Sequence, residues 1–251
     1  MASATRELLG LHTRELLRDR RYFFFVLVFP FGMAGIFLAI AKLMPSGEGA
    51  PDFEQIVVPM ALYLSVTGAA LTMTAGPLAA MRAKGTLRLL GTTPITRARL
   101  VLTHVPARLA IVVVQTVLVL ALALALGLLD LSAVPALLGI TLLGLAMFGG
   151  IGYLIGGRMS SPDAATNVAT LVQLAALFMS GLTLPLWLFP KAVGTALSLL
   201  PSSFYADLMA TQLPGGRPFH PVWLSVLVVA CTTGVVAWLA VKTFKWDQGE
   251  E

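Results

Sequence analysis

The chain has 251 residues, of which 57% are apolar and only 12% charged, and its mean hydropathy is +0.87. Soluble domains carry about 25% charged residues, and a soluble fold of this size cannot cover so much apolar surface with so few polar groups. The composition therefore excludes a disordered chain, a nucleic-acid-binding module and an ordinary soluble enzyme, even though the net charge is +5. Lipid is the solvent for most of this sequence.

From the N-terminus, residues 5–21 fit an amphipathic helix. Leu8, Leu9 and Leu16 share one face, and Glu7, Arg14 and Arg18 the opposite one; such a helix lies along a membrane surface. Arg14, Arg18, Arg20 and Arg21 suit it, but they equally suit a plain positive-inside anchor, and both readings stay open. Six apolar runs then have the ~20 residues needed to cross a bilayer as a helix: 22–43, 56–81, 109–129, 136–157, 167–189 and 222–241. None alternates with period two, which disfavours a β-barrel. Backbone groups in lipid must bond within their own segment, so the runs are helices. The first run, at about 19 residues before Ala39-Ile40-Ala41, exceeds a signal-peptide core of about 7–15 and reads as a span.

Cation placement sets the orientation. Five arginines precede the first run. Six Lys or Arg lie between the second and third: Arg82, Lys84, Arg88, Arg97, Arg99 and Arg108. Arg158, Lys242 and Lys245 raise that side to fourteen, against Lys42, Lys191 and Arg217 on the other. Both termini are thus expected in the cytoplasm. Trp187 and Trp223 fall near the outer boundary and Trp246 near the inner one, as in an aromatic belt.

The connection 82–108 is 27 residues long, far longer than a link between spans requires. Leu87, Leu89 and Leu90 form a short apolar ridge, Gly91 weakens the helix, and Pro94 stops it. Thr93 then caps a new helix with Pro94 at its first position. A basic segment with built-in helices is expected to touch a cytoplasmic partner. The segment Lys84-Gly85-Thr86-Leu87 through Thr93-Pro94 resembles the coupling segment of ABC transporter permeases of the type-2 exporter family. The six spans, the basic N-terminal helix and the outer stretch Ser180-Gly181, Pro185, Pro190, Pro201 and Tyr205 extend the resemblance over nearly the whole chain. Ala83 and Arg88 depart from it, standing where the family often has acidic residues.

The resemblance implies a single all-α transmembrane domain over 1–251: six membrane helices, an N-terminal interfacial helix (1–21), a coupling segment (82–108), and short re-entrant helices in the outer leaflet (190–221). It further implies a separate ABC ATPase subunit in two copies and a second permease chain, identical or not. The ATPase contact falls to Arg82, Lys84, Gly85, Thr86, Leu87, Arg88, Leu90, Thr93 and Pro94. The chain has no Gly-x-x-x-x-Gly-Lys-Ser/Thr loop, so ATP and Mg are expected on the partner and no cofactor on this chain. A bacterial cytoplasmic membrane is the expected location, since Arg outnumbers Lys twelve to five and Ala is abundant.

No charged residue lies near the centre of a run. A charge there costs at least ~2.5 kcal/mol and marks ion or proton paths, so ion-driven transport and intramembrane catalysis are disfavoured. Phe178-Met179-Ser180-Gly181 lacks the first glycine of a rhomboid-type motif and has no histidine base. His12, His104 and His220 read as loop or flank residues, and the single Cys231 precludes a disulfide within the chain. The intramembrane polar groups are neutral: Ser65, Thr67, Thr72 and Thr74; Gln115 and Thr116; and Thr170, Gln173 and Ser180, which fall on one flank of the fifth run. They fit either a weakly polar substrate path, with Gln115, Thr170, Gln173 and Ser180 as candidates, or hydrogen bonds between helices, worth about 0.6 kcal/mol each. Gly152-x-x-x-Gly156 permits close helix contact within the subunit. The expected function is export of a hydrophobic or amphiphilic compound, whether drug, antibiotic or lipid-like. The alternative is a non-transporting membrane anchor that recruits a soluble partner through the same basic segment.

Overall fold

The computed structural model describes residues 20–43, 53–85, 97–184, 186–213, 216 and 218–243. These are all-helical, with no strand among the described residues. In chain order the helices are α1 (Arg20–Leu43), α2 (Phe53–Thr67), a π-helical turn (Gly68–Thr72), α3 (Met73–Ala83), α4 (Arg97–Ala125), α5 (Val134–Gly156), α6 (Pro162–Met179), α7 (Lys191–Ser198), α8 (Pro201–Ala210) and α9 (Val222–Lys242). Among the described residues, three stretches are long and apolar enough to cross a membrane: Val57–Ala83, Leu131–Gly156 and Val222–Lys242.

The first of these, α2 through α3, is the axis of the bundle and is enclosed over most of its length. Helix α1 packs along α2, α4 along α2 and the π turn, and α5 and α6 along the π turn and α3. Helix α9 packs instead on α5 and α8 and leaves Trp223, Leu227, Val235 and Trp238 exposed. An apolar exterior around an equally apolar core is what lipid solvation permits.

Helix α5 lies close against the central helix because its glycines carry no side chain. A Cβ on Gly156 would fall 2.6 Å from the Ala75 carbonyl oxygen and 2.9 Å from its Cα, and one on Gly152 would fall 3.3 Å from Leu71 Cα. Gly144 similarly leaves room for the Tyr205 ring. Tyr205 of α8 joins Tyr63 and Phe148 in a trio with centroids 5.5–5.7 Å apart, so α8 is driven into the bundle between α2 and α5. Eight of its residues, Ser202 through Met209, are buried.

Two runs differ from the sequence expectation at both ends. The fifth run was expected over 167–189, but α6 starts at Pro162 and stops at Met179. Ser161 caps its start, accepting the Ala164 amide at 3.3 Å, and Gly181 at φ +82° turns the chain out of the helix. The third run was expected over 109–129; α4 begins at Arg97, carries through Pro106, and ends at Ala125 ahead of Gly127 at φ +70°. The expected second cytoplasmic helix and the third run are therefore one continuous rod. His104, read as a flank residue, lies inside it.

Candidate functional site: the basic end of the bundle

Two structural features stand at opposite ends of α6, whose 18 residues span about 27 Å at 1.5 Å per residue. Near its start is a cluster built on Arg82. Near its end, Asp207 holds the loop that leads into α9.

Helix α3 continues to Ala83, past the expected end at Met81, which turns Arg82 inward. Its side chain is only 5% exposed. The guanidinium donates from Nη2 to the Gly157 carbonyl oxygen and from Nη1 to the Met159 carbonyl oxygen at 3.2 Å. Gly157 is the C-cap of α5. The last carbonyls of a helix lack partners within it and carry its partial negative charge, so a cation there is both satisfied and stabilising. Burying a guanidinium is otherwise costly, and the carbonyl pair explains why it is tolerated here. Ala83 and Lys84 are exposed, Gly85 ends the helix at φ +70°, and Arg158 and Ser160 are exposed on the facing turn.

The structure thus separates the residues assigned together to the ATPase contact. Lys84 is on the surface and Arg82 is not. Thr86, Leu87, Arg88, Leu90, Thr93 and Pro94 lie outside the described residues, as do Arg14 and Arg18. Arg20 and Arg21 open α1.

The intramembrane polar residues divide as well. Gln115 and Gln173 are buried, on α4 and α6, helices that both touch the π turn. Thr170 does not share the buried flank of Gln173: it is exposed, and its hydroxyl donates to the Thr166 carbonyl at 2.9 Å. Ser180 is buried but serves the end of α6, donating to the Leu177 carbonyl at 2.7 Å and accepting the Leu182 amide at 3.3 Å. Ser65, Thr67 and Thr72 donate to the carbonyls four residues back at 2.7–2.8 Å. These hydroxyls satisfy themselves on their own helix, an outcome that neither sequence reading anticipated.

A model of the ABC-2 family transporter protein matches residues 41–242, a stretch that contains both ends of the bundle. The chain belongs to the ABC-2 transporter family. It is a membrane permease of an ABC transporter, the transmembrane component and not the ATPase, and so an integral membrane protein. Permeases of this family generally work with an ATPase subunit. No curated protein matches the chain.

At the other end of the permease, Asp207 is 4% exposed. Its Oδ1 accepts the Phe219 amide at 2.8 Å, and its Oδ2 accepts the His220 amide at 3.2 Å and lies 2.8 Å from His220 Nδ1. The His220 ring stacks on Phe204 at 4.2 Å. One carboxylate therefore ties α8 to the start of α9. The sequence reading missed this clamp. A signal existed, since Asp207 is the one acidic residue between Asp163 and Asp247, and a lone carboxylate in an apolar stretch needs a partner.

Proposed function

We propose that the permease exports a hydrophobic or amphiphilic compound, such as a drug-like, antibiotic or lipid-like molecule, across a bacterial cytoplasmic membrane. In this reading six helices cross the bilayer with both termini in the cytoplasm: α1, the α2–α3 axis, α4, α5, α6 and α9. Helices α7 and α8 dip into the outer leaflet. Two ATPase subunits, which hold ATP and Mg, meet two permease chains.

The observation that carries this reading is the basic end of the bundle. Lys84 and Arg158 are exposed there on neighbouring turns, directly beside a buried cation that joins two long helices. A soluble partner with an acidic groove gains from those charges, and residues 82–85, the start of the 82–108 connection, lie at the same point. Closure of the two ATPase subunits pushes the segment 84–94, and the helices rock. The work comes from the difference in ATP affinity between the open and closed arrangements. The intramembrane polar groups are neutral, and the buried amides of Gln115 and Gln173 offer weak polar contacts of the kind an amphiphile uses and an ion does not. Thr170, on the exposed face of α6, is available to a second chain or to cargo between chains.

Transport into inside-out vesicles tests the reading. Membranes containing the permease and its ATPase subunit should accumulate a fluorescent amphiphile when ATP is supplied and should not when ATP is replaced by a non-hydrolysable analogue. A recruiting anchor would bind the ATPase and give equal accumulation in both cases.

A further inference from the structure

We propose that Arg82 is a transmission residue. It fastens the coupling segment to the turn between α5 and α6, so that force applied to 84–94 moves both helices. The inference rests on the coupling reading above and assigns Arg82 a role inside the permease in place of contact with the ATPase.

Three observations support it. Arg82 is two residues from exposed Lys84, just past the end of α3, yet its own guanidinium is buried and bonded to Gly157 and Met159. The chain between those carbonyls and α6 is short: Ser161 already caps α6, and Pro162 is its first residue. Whatever holds residues 157–159 therefore holds the start of α6 as well. Finally, two close approaches of α3 to these helices are steric. Gly156 lies against Ala75, and Gly76 lies against Thr166. Contacts of that kind resist compression but permit sliding along the helix axis, and small shear between packed helices is a common motion. A guanidinium fork on two fixed carbonyls is directional and opposes that slide. Arginine suits the site better than lysine because two acceptors are addressed at once from a planar group.

The test uses the complex purified with its ATPase subunit in lipid nanodiscs, with Cys231, the exposed native thiol, replaced by serine. Single cysteines at Ala83→Cys and Ser160→Cys report thiol-labelling rates with and without ATP. With Arg82 present, ATP should change the rate several-fold at both positions. In Arg82→Gln and in Arg82→Met, whose linear side chain fills similar space, the change at position 83 should persist and the change at 160 should vanish. Arg82→Lys should restore part of it. Melting temperatures identify a variant that does not fold, and the two replacements keep the test decisive if one fails. A full ATP response at 160 in either folded variant overturns the inference and leaves the coupling reading intact. No response at either position with Arg82 present overturns the coupling reading and this inference with it.

Discussion

Asp207 and His220 meet at 2.8 Å across the loop between α8 and α9, and the same carboxylate receives the amides of Phe219 and His220. A single side chain thus anchors a helix pressed into the bundle to the start of the last long helix. Hydrogen bonds to a charged group contribute about 1.5–3 kcal/mol. Asp207→Asn keeps the shape but loses the charge and turns one acceptor into a donor facing an amide. It should lower stability by about 2 kcal/mol and speed hydrogen exchange at the Phe219 and His220 amides, with little effect in α1. Unchanged exchange at those two amides would contradict the clamp.

Two glycines of α5 should respond in opposite ways. Gly156→Val places its Cβ against the Ala75 backbone, where nothing can yield cheaply, and should destabilise by about 1–3 kcal/mol or more. Nothing lies within 4 Å of a Cβ at Gly149. Gly149→Ala should therefore be neutral or stabilising by up to about 1 kcal/mol, from helix propensity alone. Melting of the two variants in one detergent checks the contrast; equal effects would mean that α5 does not approach α3 as described.

Much of this architecture is readable from hydropathy, and the unreadable parts have physical causes. Apolar runs locate the long helices because lipid and protein interior both demand apolar side chains. That equivalence also hides which helix is central. Nothing in the composition of 57–83 announces that it is enclosed while 222–242 is largely bare, since both are solvated by methylenes. Helix ends were misjudged where a glycine at positive φ, Gly127 or Gly181, outranked an apolar run that continues past it. Hydroxyl roles were illegible for a different reason. Ser and Thr can bond to a ligand, to another helix or to their own backbone, and sequence spacing does not distinguish these. Arg82 reads as a contact residue just past an apolar run, but the helix continues to Ala83 and the guanidinium is buried on the Gly157 and Met159 carbonyls, acceptors that sequence spacing does not announce.

Gln173 should affect cargo choice without carrying the fold. Its amide is buried on α6, and Gln173→Leu removes a polar contact while preserving approximate volume. Relative transport of a more polar amphiphile against a more apolar one should fall several-fold, with the melting temperature changed by no more than a few degrees. An unchanged ratio would remove Gln173 from the substrate path.

The orientation can be read from surface cysteines. In the Cys231→Ser background, Lys84→Cys and Arg158→Cys should resist a membrane-impermeant maleimide in intact cells and react once the membrane is opened, whereas Lys191→Cys should react in intact cells. Labelling of position 84 from outside would invert the topology and remove the basic end from reach of any ATPase.

The central claim is that a partner ATPase drives this permease through the segment that follows Arg82. Deleting 84–93 and measuring ATP hydrolysis and amphiphile transport together, in the same proteoliposomes, tests it most directly. Hydrolysis should continue while ATP-dependent transport falls to the level seen without ATP, with the deleted permease still inserted. Transport at the undeleted rate would contradict the account.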